Sequence, residues 1–298
     1  MKAYIKQSGK WTAALLALSF AWSSCSKDNP NDLPGTSAAD YQGKIDGFDS
    51  SDQIYKANLV AYWSFDDTKA ERFSGITPTA TLNDSYVPGV RGKAINLANG
   101  WLYYGNQFAK FKTDSLKSWT VSEWINVLNN GSTPTMVFQL TRPNQIFGSI
   151  NSMLETGQNP ASELTKVIIK AIFADMNGGT QDNLNAPWLP TFKSPLTGPT
   201  KWINIVTTYD YVANNLQIWA DGVMIGTTDY QNRGSNYFKA FEPSTVIIGG
   251  WQRNVGTMTN PDTWQVPMNG KVDEIRVFNT VLGSAHIRAL YNLGVAGK

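Results

Sequence analysis

The sequence predicts an all-β protein, a sandwich of two antiparallel β-sheets with one short C-terminal helix. Short segments rich in branched and aromatic residues recur along the chain, several with the alternation of a strand. Tight-turn signals separate them, and only one segment has helical spacing. Eight or more strands joined by hairpins, with almost no helix, are typical of a sandwich or jelly roll.

The predicted strands follow in chain order. The first, residues 58–65, is apolar on both faces, as in a strand covered on both sides. Strand character recurs at 119–127, 164–176, 201–210, 216–221, 223–228, 245–250 and 271–278. Asp221 and Gly222 predict the tightest hairpin, because Asp-Gly readily adopts the positive φ angles of a two-residue turn. Asn214 and Asn215 predict the turn before it.

One helix is predicted, in GSAHIRALYNLG near the end of the chain. Ser284 has the side chain of an N-cap, and Ile287 and Leu290 lie on one helical face. Gly294 is expected to end the helix, because glycine is the usual residue at a helix C-terminus.

The first 25 residues predict a bacterial lipoprotein signal. Three lysines precede an apolar run at 11–22, which is too short to span a bilayer as a helix, and small residues follow it. Cys25, the only cysteine, stands where the signal would end. Two interpretations are open: an incidental thiol, or the lipidated N-terminus of the mature protein. We expect lipidation, although Trp22 replaces the usual small aliphatic residue.

Three regions follow from this interpretation. Residues 1–24 are the predicted lipoprotein signal peptide, and residues 25–56, rich in Pro, Gly, Ser and Asp, a flexible tether. Residues 57–298 form the predicted β-sandwich domain. The stretch SCSKDNPND resembles the export signal of Bacteroidetes surface lipoproteins. It implies a surface-exposed outer-membrane protein, held to the membrane through its N-terminal lipid only.

Charge and residue types exclude several functions. Removing residues 1–24 removes three lysines and no acid, so the formal net charge changes from +2 to −1. No basic run is left to neutralise phosphates, which argues against nucleic-acid binding. The only histidine, His286, cannot supply a Ser-His-Asp set from the terminal helix, and no His/Cys cluster suits zinc.

Five blocks between residues 57 and 294 carry a family resemblance. In chain order they are NLVAYWSFDD, GVRGKAINLANG, SWTVSEWINV, KWINIVTTYDYVANNLQIWADGVMIG and GKVDEIRVFNTVLGSAHIRALYNLG. They resemble the LamG-like jelly roll of the concanavalin A-like lectin/glucanase superfamily. The resemblance implies two antiparallel sheets, a concave face that often carries ligands, and commonly a calcium ion.

An acidic residue in the last predicted strand needs a partner. Strand alternation places Asp273 on the same side as the apolar Ile275 and Val277. A buried carboxylate must meet hydrogen-bond donors or a cation. The family resemblance implies structural Ca²⁺, with Asp273 as a ligand and Asp66 as a second carboxylate. The alternative is that Asp273 accepts backbone N–H bonds or pairs with Arg91.

Hydrolysis of glycosidic bonds needs two carboxylates that flank the bond. Relatives that resemble laminarinases carry Glu-x-Asp-x-x-Glu on one strand, and no glutamate here begins that motif. Glu123 is the one candidate catalytic carboxylate. It is expected at a rim position, or at the concave face with a partner from another strand. The sequence therefore favours binding over catalysis.

Aromatic rings beside amides and carboxylates complement the apolar faces and hydroxyls of sugars. Three regions offer this combination. The predicted glycan-binding residues are Trp101 and Tyr103 on one strand, Trp188 in a Pro/Asn-rich loop, and Trp251, Arg253, Asn254, Asp262 and Trp264 in the loop before the last strand. For each tryptophan, packing in the core or at a hydrophobic rim is the alternative.

The sequence as a whole predicts a lectin-like lipoprotein at the cell surface, accessory to polysaccharide capture. Its expected partner is a polysaccharide or oligosaccharide. Two alternatives stay open: a glycoside hydrolase of the same superfamily, and an adhesin-like module that binds protein.

Overall fold

The computed structural model describes residues 43–128, 134–155 and 163–298. Within these ranges the chain forms thirteen strands and one α-helix, α1 (Ser284–Val295). The strands are β1 (Leu59–Trp63), β2 (Ala80–Pro88), β3 (Lys93–Tyr104), β4 (Trp119–Asn126), β5 (Thr135–Leu140), β6 (Ile150–Leu154), β7 (Ile169–Ala174), β8 (Thr180–Leu184), β9 (Ile203–Asp210), β10 (Asn215–Ala220), β11 (Val223–Met224), β12 (Val246–Ile248) and β13 (Met268–Phe278). The predicted all-β fold class is confirmed.

The strands form one antiparallel sheet that curls into two facing layers. Its order is β11-β10-β9-β4-β13-β3-β12-β5-β6-β7-β8, with β1 on β13 and β2 on β3. Tyr209 of β9 contacts Phe173 of β7, with ring centroids 4.7 Å apart, although these strands are distant in the sheet order. The first layer (β1, β4, β9–β11 and β13) therefore faces the second layer (β5–β8 and β12) across one hydrophobic core. Strand β3 joins the two layers.

Helix α1 covers the face of the first layer that points away from this core. Ser284 is its first residue, preceded by Gly283, and the helix continues through Gly294 to Val295, so both predicted ends are off by one residue. A Cβ on Gly294 would lie 2.2 Å from the ring of Trp124, so glycine lets the helix approach the sheet. Tyr291 stacks on Trp124 at 5.9 Å. No helix in the described ranges is long and apolar enough to cross a membrane.

The folded domain begins before residue 57, where the sequence placed its start. Phe48 and Ile54 are buried in the cluster that also contains the core-facing residues of α1. The backbone N–H of Ser51 donates to the carbonyl of Lys298, with an N–O distance of 3.1 Å. Residues 43–56 are therefore part of the domain, and the predicted tether is too long at this end.

The tight hairpin is confirmed, whereas several strands were not predicted. Asp221 and Gly222 have φ angles of 50° and 75° and connect β10 to β11. Strand β8 lies between residues 176 and 201, where the sequence predicted no strand. Strand β2 is exposed along most of its length, so it has little apolar pattern to detect. Both strands depend on pairing with a longer neighbour rather than on their own composition.

Candidate functional site

The structure brings two of the three predicted sugar-binding regions together. Strand β3, which carries Trp101 and Tyr103, pairs with β12, and the loop with Trp251 and Trp264 begins directly after β12. A Cβ on Gly250 would lie 2.9 Å from the Cβ of Trp101, so this loop starts against that side chain. Trp188 follows β8, four strand spacings from β12, or roughly 19 Å.

Trp251 is a core residue, which is the packing alternative for this tryptophan and not the sugar-binding role. Its side chain is completely buried. It packs with Met136, Met153 and Ile172 on the face of the second layer that points away from the main core. The ring has no face open to a ligand, so its contribution is to packing.

Trp264 is the exposed aromatic residue of the same loop. Its ring meets Trp251 edge to face, with centroids 5.1 Å apart and an interplanar angle of 83°. Trp264 keeps 38% of its surface exposed. An exposed indole on a buried one is held in place without being covered, which suits stacking on a ligand. We call Trp264, Arg253 and Asn254, with Trp251 beneath, the Trp264 platform.

Polar side chains brace the loop of the platform from within. Asn254 accepts a hydrogen bond from the N–H of Trp251 at 2.9 Å and donates to the carbonyl of Gln265 at 3.2 Å. Arg253 donates from Nη1 to the carbonyls of Thr263 at 2.8 Å and Gln265 at 3.0 Å. These bonds tie the two ends of the loop together. Asp262 is exposed at its surface.

The β5–β6 connection fastens the platform to the second layer. Gln252 donates from Nε2 to the carbonyl of Arg142 at 2.9 Å, and also to that of Gln145. Asn144 accepts bonds from the backbone N–H and the hydroxyl of Thr259, at 3.0 and 2.7 Å. The platform is therefore preorganised, so a ligand does not have to order the loop when it binds.

The other predicted aromatic residues differ in what they offer a ligand. Trp101 is 9% exposed and packs beside Gly250, and Tyr103 is half-buried. Both point away from the main core, where Leu102 and Tyr104 lie, as predicted for one strand face. Trp188 is 57% exposed. A cavity of about 240 Å³ lies nearby, lined by residues 191–193 and 224–228, but Trp188 does not line it.

Glu123 lies inside the protein and cannot reach a substrate. On β4 it shares a face with Val121 and Ile125, and that face points into the main core. Its side chain is completely buried and accepts a hydrogen bond from the hydroxyl of Ser152 on β6. Burial raises the pKa of Glu123 to about 8, although the Ser152 hydrogen bond opposes the shift. Neither the predicted rim position nor the concave-face alternative is correct.

Asp273 is buried, but not on the side that strand alternation predicted. It lies opposite Trp124, and a bulge between Asp273 and Arg276 places it on the other side from Ile275 and Val277, which face the main core.

Backbone donors surround Asp273. Its Oδ2 accepts bonds from the N–H groups of Val90 at 2.8 Å and Arg91 at 3.3 Å, and its Oδ1 from that of Glu274 at 2.8 Å. A Cβ on Gly89 would lie 2.4 Å from Oδ2, so glycine is needed for this approach. Burial, and then the charge of Glu274, raises the pKa of Asp273 to about 8, against the effect of these bonds.

The surroundings of these carboxylates do not fit a calcium ion as they stand. Calcium requires six to eight oxygen ligands. The Asp273 carboxylate instead meets three N–H groups, and Oδ1 of Asp66 accepts the N–H of Lys93 at 2.8 Å. No group of three or more acidic, histidine or cysteine side chains in the described ranges is arranged to hold a metal. Of the two sequence alternatives, the structure shows the backbone-bonded carboxylate.

A buried ionic network beside Asp273 was missed by the sequence reading. Strand alternation predicted that Glu274 and Arg276 point outward, but both side chains are buried, and Arg276 bonds to Ser51 and Asp52. Arg276 contacts Oε2 of Glu274 at 2.5 Å and Oδ1 of Asp52 at 3.1 Å. Burial alone would raise the pKa of Asp52, but Arg91 and Arg276 outweigh it and hold that pKa below its usual range. The signal available in the sequence was an acid and an arginine two residues apart on an apolar strand.

Comparison with known families gives one clear match. A family model, Laminin_G_3 of the concanavalin A-like lectin/glucanases superfamily, matches residues 104–288, which is more than half of the chain. A search of curated protein sequences found no match.

Several solved structures resemble this chain at low sequence identity. The binding domain of Paraclostridial Mosquitocidal Protein 1 is 13% identical with a TM-score of 0.52, covering 80% of this chain and 52% of that one. The ligand-binding domain of botulinum neurotoxin serotype D, in complex with N-acetylneuraminic acid, is 12% identical with a TM-score of 0.52, covering 81% and 52%. Domain 4 of AbnA, an extracellular arabinanase from Geobacillus stearothermophilus, in complex with arabinotriose, is 17% identical with a TM-score of 0.43, covering 78% and 98%.

The similarities to the two toxin domains, with TM-scores of 0.52, show the fold and nothing finer. The chain spans about half the length of the toxin domains that it matches. At such low identity a shared fold does not transfer a binding site, because function depends on side chains that differ.

Proposed function

Because the chain belongs to the concanavalin A-like lectin/glucanase superfamily, we propose that it is a lectin-like protein that binds carbohydrate at the Trp264 platform. The observation that carries this proposal is the exposed Trp264 ring held edge-on by the buried Trp251. A sugar presents an apolar C–H face that stacks on an aromatic ring, and hydroxyls that bond to polar groups beside it.

The surroundings of the ring support this proposal. Arg253 and Asn254 lie in the same braced loop, and both are partly exposed. Tyr103, which is partly exposed, lies on the strand that pairs with β12, directly before that loop. One solved structure of similar fold, the ligand-binding domain of botulinum neurotoxin serotype D, is in complex with N-acetylneuraminic acid. That makes a sugar a reasonable ligand class without naming one.

We further propose that the protein is a surface-exposed lipoprotein of the outer membrane, accessory to polysaccharide capture. This rests on the N-terminal pattern and on Cys25, which lies outside the described residues. Mass spectrometry of the mature N-terminus tests it, since a diacylated or triacylated Cys25 is expected. A free Cys25 thiol, or cleavage at another residue, would remove the anchor from the proposal.

The structure gives no support to Glu123 as a catalytic carboxylate, because a completely buried side chain cannot meet a glycosidic bond. The hydrolase alternative is thereby left without its only named residue. A reducing-sugar assay run on the glycans that bind would still detect turnover, and turnover would replace the binding proposal.

The test of the proposed function is a glycan array with three proteins. Wild type should bind at least one glycan, and Trp264→Ala should weaken that binding about fivefold or more, as expected for one lost stacking contact. Trp188→Ala is the control, because it removes another exposed indole, at the far edge of the second layer. If Trp188→Ala rather than Trp264→Ala abolishes binding, the platform is the wrong site. If protein ligands bind and no glycan does, the adhesin alternative is favoured.

A further inference from the structure

We propose that the Trp264 platform selects carboxylated sugars, with Arg253 as the residue that binds the sugar carboxylate. The inference rests on the carbohydrate-binding function proposed above and adds the charge class of the ligand. It rests on the position of the Arg253 guanidinium group relative to the exposed ring of Trp264.

The guanidinium of Arg253 is fixed beside Trp264 by one of its nitrogens. Nη1 donates to the carbonyls of Thr263 and Gln265, the two residues that flank Trp264 in the chain. Both bonds use the same nitrogen. Nε and Nη2 form no hydrogen bond or ion pair with any described residue, and the side chain is partly exposed. The edge formed by Nε and Nη2 is the one that can hold both oxygens of a carboxylate.

Arg253 has no acidic partner among the described residues, unlike the arginines of the buried network. Arg91 shows the paired arrangement in this protein: its Nη1 and Nη2 contact the two oxygens of Asp52 at 2.9 and 3.1 Å. Asp262, in the loop of Arg253, is exposed and forms no ion pair with it. The charge of Arg253 is thus positioned at the surface without being neutralised.

This arrangement has the chemistry that a carboxylated sugar requires. The apolar face of the pyranose ring stacks on Trp264, and the carboxylate accepts two charge-assisted hydrogen bonds from the free edge of Arg253. Because the guanidinium is already oriented, little side-chain entropy is lost on binding. A neutral sugar can use the ring but not the charge, so the platform should prefer the acidic sugar.

The test compares acidic polysaccharides with neutral forms of the same polymers. Polygalacturonate, alginate and hyaluronan are each presented beside their carboxyl-methylated esters, which keep the sugar ring and remove the charge. Wild type should bind an acidic form about tenfold more tightly than its ester, and this preference should fall as salt is raised. Arg253→Gln should remove the preference, and Arg253→Lys, which keeps the charge without the fork, should restore only part of it.

Two further variants separate charge at the platform from net charge and from misfolding. Arg288→Gln makes the same charge change on the exposed side of α1, on the first layer, and should keep the preference. Asp262→Asn removes the one acid of the loop and should increase binding of the acidic form. Retained binding of the neutral ester by Arg253→Gln would show that the platform is still folded.

The outcomes distinguish this inference from the proposed function. Binding of glycans that depends on Trp264 but is equal for acids and esters would overturn the carboxylate inference and leave the lectin proposal standing. Equal loss of preference in Arg253→Gln and Arg288→Gln would also overturn it. An absence of any glycan binding by wild type would overturn both.

Discussion

Trp251 and Trp264 meet edge to face at 5.1 Å, yet the first is completely buried and the second is 38% exposed. The two indoles therefore have different roles in one loop. Trp251 holds the loop against the second layer, and Trp264 presents a ring to the solvent.

Because the two indoles have different roles, one alanine substitution should mainly lower stability and the other should mainly weaken glycan binding. Trp251→Ala removes a buried ring and should lower the free energy of unfolding by about 3–5 kcal/mol. Trp264→Ala should leave the melting temperature within a few degrees and weaken glycan binding by about 1 kcal/mol or more. Denaturant titration and glycan binding, measured on both variants, check this. A Trp264→Ala protein as unstable as Trp251→Ala would show that Trp264 is a packing residue.

A feature of the fold or of the site could be predicted where residues close together in the sequence carry its signal. Strands rich in branched residues and the Asp221–Gly222 turn carry their own signals, and both were found. Which tryptophan of the β12–β13 loop is buried depends on the sheet face beneath it, and no local pattern reports that. Glu123 is different, because its alternation with Val121 and Ile125 is a local signal for the core side, and our prediction of a rim or concave-face position did not use it.

Strand β8 and the N-terminal segment show why the rest was missed. Asn183 points inward from β8, where its amide donates to the carbonyl of Leu216 and accepts the N–H of Thr227. A polar residue satisfied by distant backbone groups looks like a loop residue in the sequence. Residues 43–56 have a linker composition, but Phe48 and Ile54 find an apolar surface that only the folded domain provides.

The buried Glu123 predicts that stability falls as pH rises. The unfolded carboxyl titrates near 4.5 and the folded one at about 8, so between these values the folded state holds the extra proton. The stability that this proton contributes is fully present below pH 4.5 and is lost as pH rises through about 8. Each pKa unit corresponds to about 1.4 kcal/mol, so the loss is of the order of a few kcal/mol.

Glu123→Gln isolates this effect, because the amide does not titrate. Contributions of other groups, including Asp273, are common to both proteins and cancel in the difference. The difference in the free energy of unfolding should therefore shift in favour of the variant between pH 5 and pH 9. Chemical denaturation at several pH values measures it, and a difference that does not change with pH would show that Glu123 titrates near its normal pKa.

Calcium at Asp273 stays a proposal from the family resemblance, and thermal melting tests it. Calcium that binds only to the folded form raises the melting temperature by mass action. Because Asp273 already accepts bonds from Val90, Arg91 and Glu274, we expect the same melting curve in calcium and in EDTA. A rise with calcium that Asp273→Asn abolishes would establish the site. Asp273→Asn should itself destabilise the protein, since an amide cannot accept all three bonds.

Residues 43–56 should contribute several kcal/mol to the stability of the domain. They cover an apolar cluster with Phe48 and Ile54, and they supply Asp52 to the buried Arg276. Removing residues 43–56 exposes that apolar cluster and takes Asp52 away from the buried Arg276. Each of these two losses should lower the free energy of unfolding by about 2–5 kcal/mol. A chain that begins at residue 57 should therefore unfold at a clearly lower denaturant concentration than one that begins at residue 43. Equal midpoints would mean that residues 43–56 are dispensable and that the domain begins at residue 57, as its composition predicted.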